Sequence, residues 1–220
     1  MTDVSRETPS TPDAARRALS SERLPLAQRY VELLATAGVE RGLIGPREAP
    51  RLWDRHVFNC LALTALVAPD ATVADLGSGA GLPGLVLAIG RPDLTVTLVE
   101  PLQRRTIFLD EVIGELGLQD VKVVRGRAEE LHGRGRFDVV TARALAPLAR
   151  LLGWGMPLVA GSGALLAMKG SFAAEEIEAA APALRELRCA PPEILQVAGP
   201  DGSSTTTVVR VAHAEPTWIG

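Results

Sequence analysis

The chain has 220 residues, 47% of them hydrophobic and 22% charged, a balance that builds a globular core without disulfides or metal. Twenty-three Lys and Arg oppose 26 Asp and Glu for a net charge of −3, so any nucleic-acid surface has to be a local patch. Aromatic residues at 4% argue against a base-stacking platform, and two Cys with three His supply neither a disulfide framework nor a metal-ligand cluster.

Residues 1–12 are Ser, Thr, Pro and charge without an apolar h-region, which predicts a disordered tail rather than a secretory signal. No uncharged apolar stretch reaches the ~18 residues a membrane span needs, so a cytoplasmic protein is expected. Leu26, Tyr30, Leu33 and Leu34 recur at helical spacing from Leu24 to Ala37, with Gly38 as the stop. Pro46 begins a second predicted helix, along which Leu52, Val57, Leu61 and Leu63 line one side, and Pro69 closes it. Residues 13–70 therefore read as a helical extension.

From residue 71 the pattern changes. Strands are predicted at Thr72–Leu76, Leu94–Val99, Val121–Val124, Phe137–Thr141, Gly163–Met168, Pro192–Val197 and Thr205–Val211. Helices are predicted at Leu82–Ile89, Ile107–Leu116, Pro147–Leu152 and Ala173–Leu187. The alternation defines an α/β fold, a mostly parallel, doubly wound sheet over residues 71–220.

The first strand runs into Asp75-Leu76-Gly77-Ser78-Gly79-Ala80-Gly81, which opens the first crossover helix. Glycines there let the backbone turn sharply and approach a ligand, and the loop falls in the crevice beyond the carboxyl ends of the strands. Gly79, Gly81 and Gly84 also fit a dinucleotide fingerprint. Asp75 shifts the balance: it would repel a pyrophosphate but attract the cationic methionine end of S-adenosyl-L-methionine. Glu100 ends the second strand, 19 residues after Gly81, at the height where an acid meets ribose hydroxyls.

Absences narrow the chemistry. The one tyrosine, Tyr30, lies in no Tyr-x-x-x-Lys pair, and there is no P-loop. Neither Cys60 nor Cys189 follows a proline, and Thr141-Ala142-Arg143 stands where amine methylation uses Asn/Asp-Pro-Pro-Tyr. A methyltransferase lacking both devices suits a nucleophile with a free lone pair, such as guanine N7, with catalysis by alignment and electrostatics.

Asp75 to Gly84, Arg55 to Cys60, Arg127 to Glu130, Thr141 to Ala144 and Met168 to Gly170 stand in one order along the chain. Together they resemble the glucose-inhibited division protein B family, bacterial enzymes that methylate guanine N7 in small-subunit (16S) ribosomal RNA. The resemblance runs from about Leu24 to Val211 and implies a class I, Rossmann-like S-adenosylmethionine-dependent methyltransferase. It implies cofactor contacts from Gly77 and Leu82, ribose binding by Glu100, and Ala128 and Glu129 flanking the adenine. It also places Arg143 at the pocket and the N-terminal helices over the site, against 16S RNA or the small ribosomal subunit. Cys60 replaces the family's usual Ser, and Arg41-Gly42-Leu43-Ile44 replaces Trp-Asn-Leu-Thr.

The expected catalytic residues are Arg143, at the crevice end of the fourth strand, and His56 beside Arg55. The expected cofactor residues are Asp75, Gly77, Gly79, Gly81, Leu82, Glu100, Ala128, Glu129 and Arg143, and no metal is expected. Arg55, Arg104, Arg105 and Lys169 are the candidate RNA contacts. Arg125, Arg127, Arg134 and Arg136 cluster around the third and fourth strands and, with Arg104 and Arg105, are expected on one rim facing phosphates. A methyltransferase of a small molecule or protein, and a cofactor-binding protein without turnover, are the alternative readings.

Overall fold

Alternating apolar residues on seven short strands give this sheet two faces to bury. The computed structural model describes residues 10–202 and 204–214, so most of the expected tail lies outside the described residues. The strands are β1 (Thr72–Leu76), β2 (Thr95–Val99), β3 (Val121–Val124), β4 (Phe137–Arg143), β5 (Val159–Lys169), β6 (Glu193–Ala198) and β7 (Thr205–Ala212). Their order is β3-β2-β1-β4-β5-β7-β6; the first five pair in parallel, while β7 runs antiparallel to both β5 and β6.

Strand parity sorts the core. Val73, Val96, Leu98 and Leu166 point to one face, where α2 (Leu24–Leu33), α3 (Phe58–Ala62), α4 (Gly84–Gly90) and α5 (Gln103–Leu116) cover the sheet. Ala74, Leu76, Val99, Val140 and Leu165 point to the other, under α6 (Leu148–Gly155), α7 (Ala173–Ala179) and α8 (Ala181–Glu186). The N-terminal helices, starting with α1 (Asp13–Ala18), share the first core with the sheet.

Helix α4 is buried along almost its whole length and is held at both ends by distant side chains. At its start, Gly84 N–H donates to the Asp75 carboxylate at 3.0 Å. At its end, the Arg23 guanidinium donates to the carbonyls of Ile89 and Ala88 at 2.6 and 2.8 Å, satisfying groups that a helix end leaves orphaned. The buried Tyr30 hydroxyl donates to the Ala80 carbonyl at 2.8 Å, so α2 is bolted to the glycine loop.

Several boundaries differ from the sequence expectation for local reasons. The first helix does not stop at Gly38 but passes through a π turn, Leu34–Gly38, and continues to Glu40. The second predicted helix starts at Ala49 rather than Pro46 and changes pitch, with a π turn at Leu52–Val57 before α3 and a 3₁₀ turn at Leu63–Leu66 after it. α4 starts at Gly84, because Leu82-Pro83 belongs to the loop. Pro182 divides the predicted Ala173–Leu187 helix into α7 and α8, since its ring cannot continue the preceding turn.

Two glycines test this packing. A Cβ on Gly84 would lie 2.4 Å from Leu98 Cδ2 and 2.8 Å from Asp75 Oδ2, whereas one on Gly114 of α5 meets nothing within 4 Å. Gly84→Ala is expected to destabilise the protein by about 1–3 kcal/mol in urea unfolding, and Gly114→Ala to stabilise it by up to ~1 kcal/mol. A neutral Gly84→Ala would show that α4 does not press on the sheet as described.

Candidate active site

The carboxyl ends of the parallel strands carry two adjoining cavities. The smaller, about 280 Å³, is an apolar slot between Leu76, Val99, Pro101 and Trp154, closed below by Gly77 and on one side by Gly126 to Glu129. The larger, about 740 Å³, opens between the ends of β4 and β5 and the start of β7, with Arg143, Lys169, Glu176 and Asn59 on its walls. Leu145 lines both and separates them. It packs over Gly77, where a Cβ would fall 2.4 Å from Leu145 Cδ1, so only glycine admits this partition. Ala144 makes the turn that places it, at φ 50°, a left-handed conformation that non-glycine residues seldom adopt.

Two buried carboxylates hold the glycine loop. Glu100, 1% exposed, accepts Gly79 N–H and Leu102 N–H at 3.0 Å each, and Arg105 Nη1 lies 3.4 Å from it. Asp75, fully buried, uses Oδ2 on Gly84 N–H while Oδ1 has no partner among the described residues. Burial pushes the Asp75 carboxyl up to about 7; the Gly84 N–H opposes that rise and the nearby Glu100 charge adds to it. The apolar slot floored by Gly77 fits an aromatic group, whereas Asp75 lines neither cavity: its side chain lies on the Val73 and Leu98 face of the sheet, against Gly84.

Of the sequence-predicted cofactor residues, Gly77, Ala128 and Glu129 line the slot and Arg143 the cleft, whereas Asp75, Gly79, Gly81, Leu82 and Glu100 line neither. Gly79 rests on Glu100. Gly81 is packed from below by Leu85 and Tyr30, while Leu82 packs against the first core instead of lining either cavity. Trp154 is half-buried and contributes to the slot wall.

Arg143 is held by the N-terminal helices. Its Nη2 donates to His56 Nδ1 at 2.8 Å and to the Arg55 carbonyl at 3.0 Å, and its Nη1 lies 3.7 Å from Cys60 Sγ. Since Nδ1 accepts, the neutral ring carries its proton on Nε2, which faces Glu48 Oε2 at 3.0 Å. Glu48 is the member of this chain that sequence reasoning missed. Burial and then the Arg143 charge hold His56 below the usual histidine value, with Glu48 pulling the other way. Burial pushes the Cys60 thiol up to about 11, which keeps it from serving as a thiolate nucleophile.

The expected RNA contacts divide. Arg104 is exposed, and half-exposed Arg55 pairs loosely with Glu48 at 3.3 Å. Arg105 turns inward to Glu100 instead of facing outwards. Lys169 is an internal cation rather than an open phosphate contact: its side chain is 8% exposed and its Nζ meets Glu176 at 2.6 Å and the Ala146 carbonyl at 2.8 Å. The arginines expected on one rim also separate. Arg127 lines the cofactor slot, whereas Arg125, Arg134 and Arg136 line a different cavity.

The strand order, the glycine loop and the slot above it define a class I methyltransferase fold. The solved precorrin-6y C5,15-methyltransferase of Geobacter metallireducens GS-15 shares it, with a TM-score of 0.53 and 13% identity over 78% of this chain and 91% of that one. The model of the family described as GidB, rRNA small subunit methyltransferase G, matches residues 23–199, and the chain belongs to that family. It is 67% identical to the ribosomal RNA small subunit methyltransferase G of Nocardioides sp. (strain ATCC BAA-499 / JS614), over 97% of this chain and 86% of the relative. It is 56% identical to the protein of that name from Thermobifida fusca (strain YX), over 91% and 84%.

The hydrogen-bond chain has a direct spectroscopic consequence. His56 is expected to titrate below 6.5 by NMR; Arg143→Ala should move its pKa up and Glu48→Gln should move it down. A His56 at or above 6.5 that ignores both substitutions would break the chain.

Proposed function

We propose that this chain transfers a methyl group from S-adenosyl-L-methionine to N7 of a guanine in 16S ribosomal RNA, in the cytoplasm. The observation that carries the reading is the pair of cavities divided by Leu145, an apolar slot beside a polar cleft that Arg143 reaches. When bound, the cofactor supplies an electrophilic methyl. Leu76, Val99 and Trp154 line the slot that would hold the adenine, and the residues around Ala128 and Glu129 would read its edge. Asp75 would act on the cationic methionine end from behind the glycine loop, and Glu100, which holds Gly79, would fix that loop near the ribose.

The cleft takes the target base. Guanine N7 has its own lone pair, so no general base is needed, and the chain contributes position and charge. Arg143, kept in place by the Glu48–His56 pair, presents a fixed guanidinium at the cleft wall. As pH falls through the His56 pKa, Nδ1 gains a proton and can no longer accept from Arg143, so turnover should fall on the acid side. Near neutrality the histidine is uncharged and the guanidinium is held.

The deciding experiment offers labelled S-adenosylmethionine with unmethylated small subunits, or with their extracted RNA, followed by chemical cleavage at 7-methylguanine. Label in RNA with one cleavage site is expected, and Arg143→Ala should cut the rate about 10²-fold with the fold intact. Label confined to protein, or cofactor binding without any transfer, would overturn the reading.

Asp75 adds a proton-linkage prediction. Its folded value, about 7, lies above the unfolded 3.8, so its contribution to stability is full below 3.8 and is lost as pH rises towards 7. A bound cation reverses the preference and ionises the acid. Calorimetry at pH 6 in buffers of different ionisation enthalpy should therefore show proton release on cofactor binding, and Asp75→Asn should abolish it. Equal enthalpies in all buffers would remove Asp75 from the cationic end.

A further inference from the structure

The face of the sheet that carries the cofactor slot is apolar only in its upper half. Going down the same face, the strand residues change from Leu76 and Val99 to Thr72, Thr95, Thr97 and Lys122. Sequence and topology agree on the reason. The connection after β3 is not a full crossover helix but one 3₁₀ turn, Ala128–Leu131, so among the described residues no helix covers the lower half, which Leu131 and Phe137 only edge. The result is a cavity of about 520 Å³ between that turn, the strands and the loop leading into β4.

Its lining is cationic. Lys122, Arg125, Arg134 and Arg136 reach it, against Glu130 alone among the acids, and Glu130 already accepts the Arg127 backbone N–H at 2.8 Å. Arg136 gives one N–H to the Val159 carbonyl at 3.2 Å. The side chains of Lys122, Arg125 and Arg134 have no hydrogen-bond or ion-pair partner among the described residues, while Arg29, Arg41, Arg91, Arg210 and Lys169 each pair with an acid. From Lys122 to Arg136 five cations stand against Glu129 and Glu130, within a chain whose net charge is −3. Three unpaired cations around one concave, hydroxyl-lined space are complementary to phosphate oxygens. Gly126 lines both this groove and the adenine slot, so the two lie back to back.

We infer that this groove is a second contact for the substrate RNA, holding the phosphate backbone of a strand outside the catalytic cleft. The inference rests on the RNA reading above. The groove reads no sequence; it adds affinity and fixes the angle at which a structured RNA meets the cleft. It also resolves how a protein of net negative charge binds a polyanion, because the attraction is confined to one face.

The test replaces Lys122, Arg125 and Arg134 together with Ala, and separately replaces only Arg134 with Glu. None of the three touches the cofactor slot or the Arg143 cleft. Methyl transfer to unmethylated small subunits is measured against salt, with cofactor affinity by calorimetry and folding by thermal melt as controls. The triple variant should raise KM for the subunit at least about tenfold at low salt and flatten the log–log salt slope by about 2 to 3, with kcat and cofactor affinity unchanged. The single reversal should act in the same direction with a smaller flattening. An unchanged KM and slope in both variants, while the wild type still labels RNA, would overturn the groove and leave the RNA reading standing. A wild type that labels no RNA would overturn both. Binding of free ATP that the triple variant loses while KM stays constant would assign the groove to a small phosphorylated ligand and overturn it as an RNA contact.

Discussion

Two carboxylates buried side by side at the ends of adjacent parallel strands are an expensive arrangement, and the site is organised around it. Desolvation opposes each charge, and the two repel one another. Glu100 offsets its burial by accepting two backbone N–H groups, with Arg105 nearby. Asp75 caps the start of α4 with one oxygen and leaves the other unmatched. The acids thus pin the glycine loop and the start of α4 by their N–H groups, and one acceptor is left unsatisfied beneath the loop.

The N-terminal helices belong to the same machine. Tyr30 bolts α2 to the loop at Ala80, Arg23 closes the far end of α4, and the π turn that carries Arg55 and His56 reaches across to Arg143. Arg143 would otherwise be a flexible guanidinium at a strand end. Two bonds to the helical region fix it, and its neighbour Ala144 turns sharply so that Leu145 can divide the cavities. The helical extension therefore sets the electrostatics of the cleft as well as its cover.

Local rules made the strands legible. β1 and β3 have the predicted limits because short apolar runs between turn residues leave little choice. β5 begins four residues earlier than expected, since Gly161 and Gly163 hide its first half; Gly163 is needed there because a Cβ would lie 2.5 Å from the Asp138 carbonyl. The glycine loop and Arg143 were readable from their places at strand ends. Glu48 was not, because it serves His56 through a turn that ordinary helical spacing misplaces. The fates of the cations were equally hidden. Nothing in Lys169-Gly170 announces that Glu176 takes the ammonium, and neighbouring Arg104 and Arg105 face different surroundings. A charge's partner is a tertiary fact.

The same tertiary view shows how an apolar slot and a cationic groove coexist in one fold. The slot presents a mostly apolar lining with one cation, Arg127, and one acid, Glu129, at its side; the groove behind it presents three unpaired cations. The segment from Gly126 to Leu131 is the wall between them. Where many doubly wound folds place a helix after the third strand, this chain uses a single turn. That economy leaves a groove over the lower sheet face, with threonines and Lys122 on the strands and Leu131 and Phe137 at its edge. An RNA strand lying along that face and a base entering the cleft would approach the cofactor from two sides of one wall, so small displacements of the turn would be felt at both.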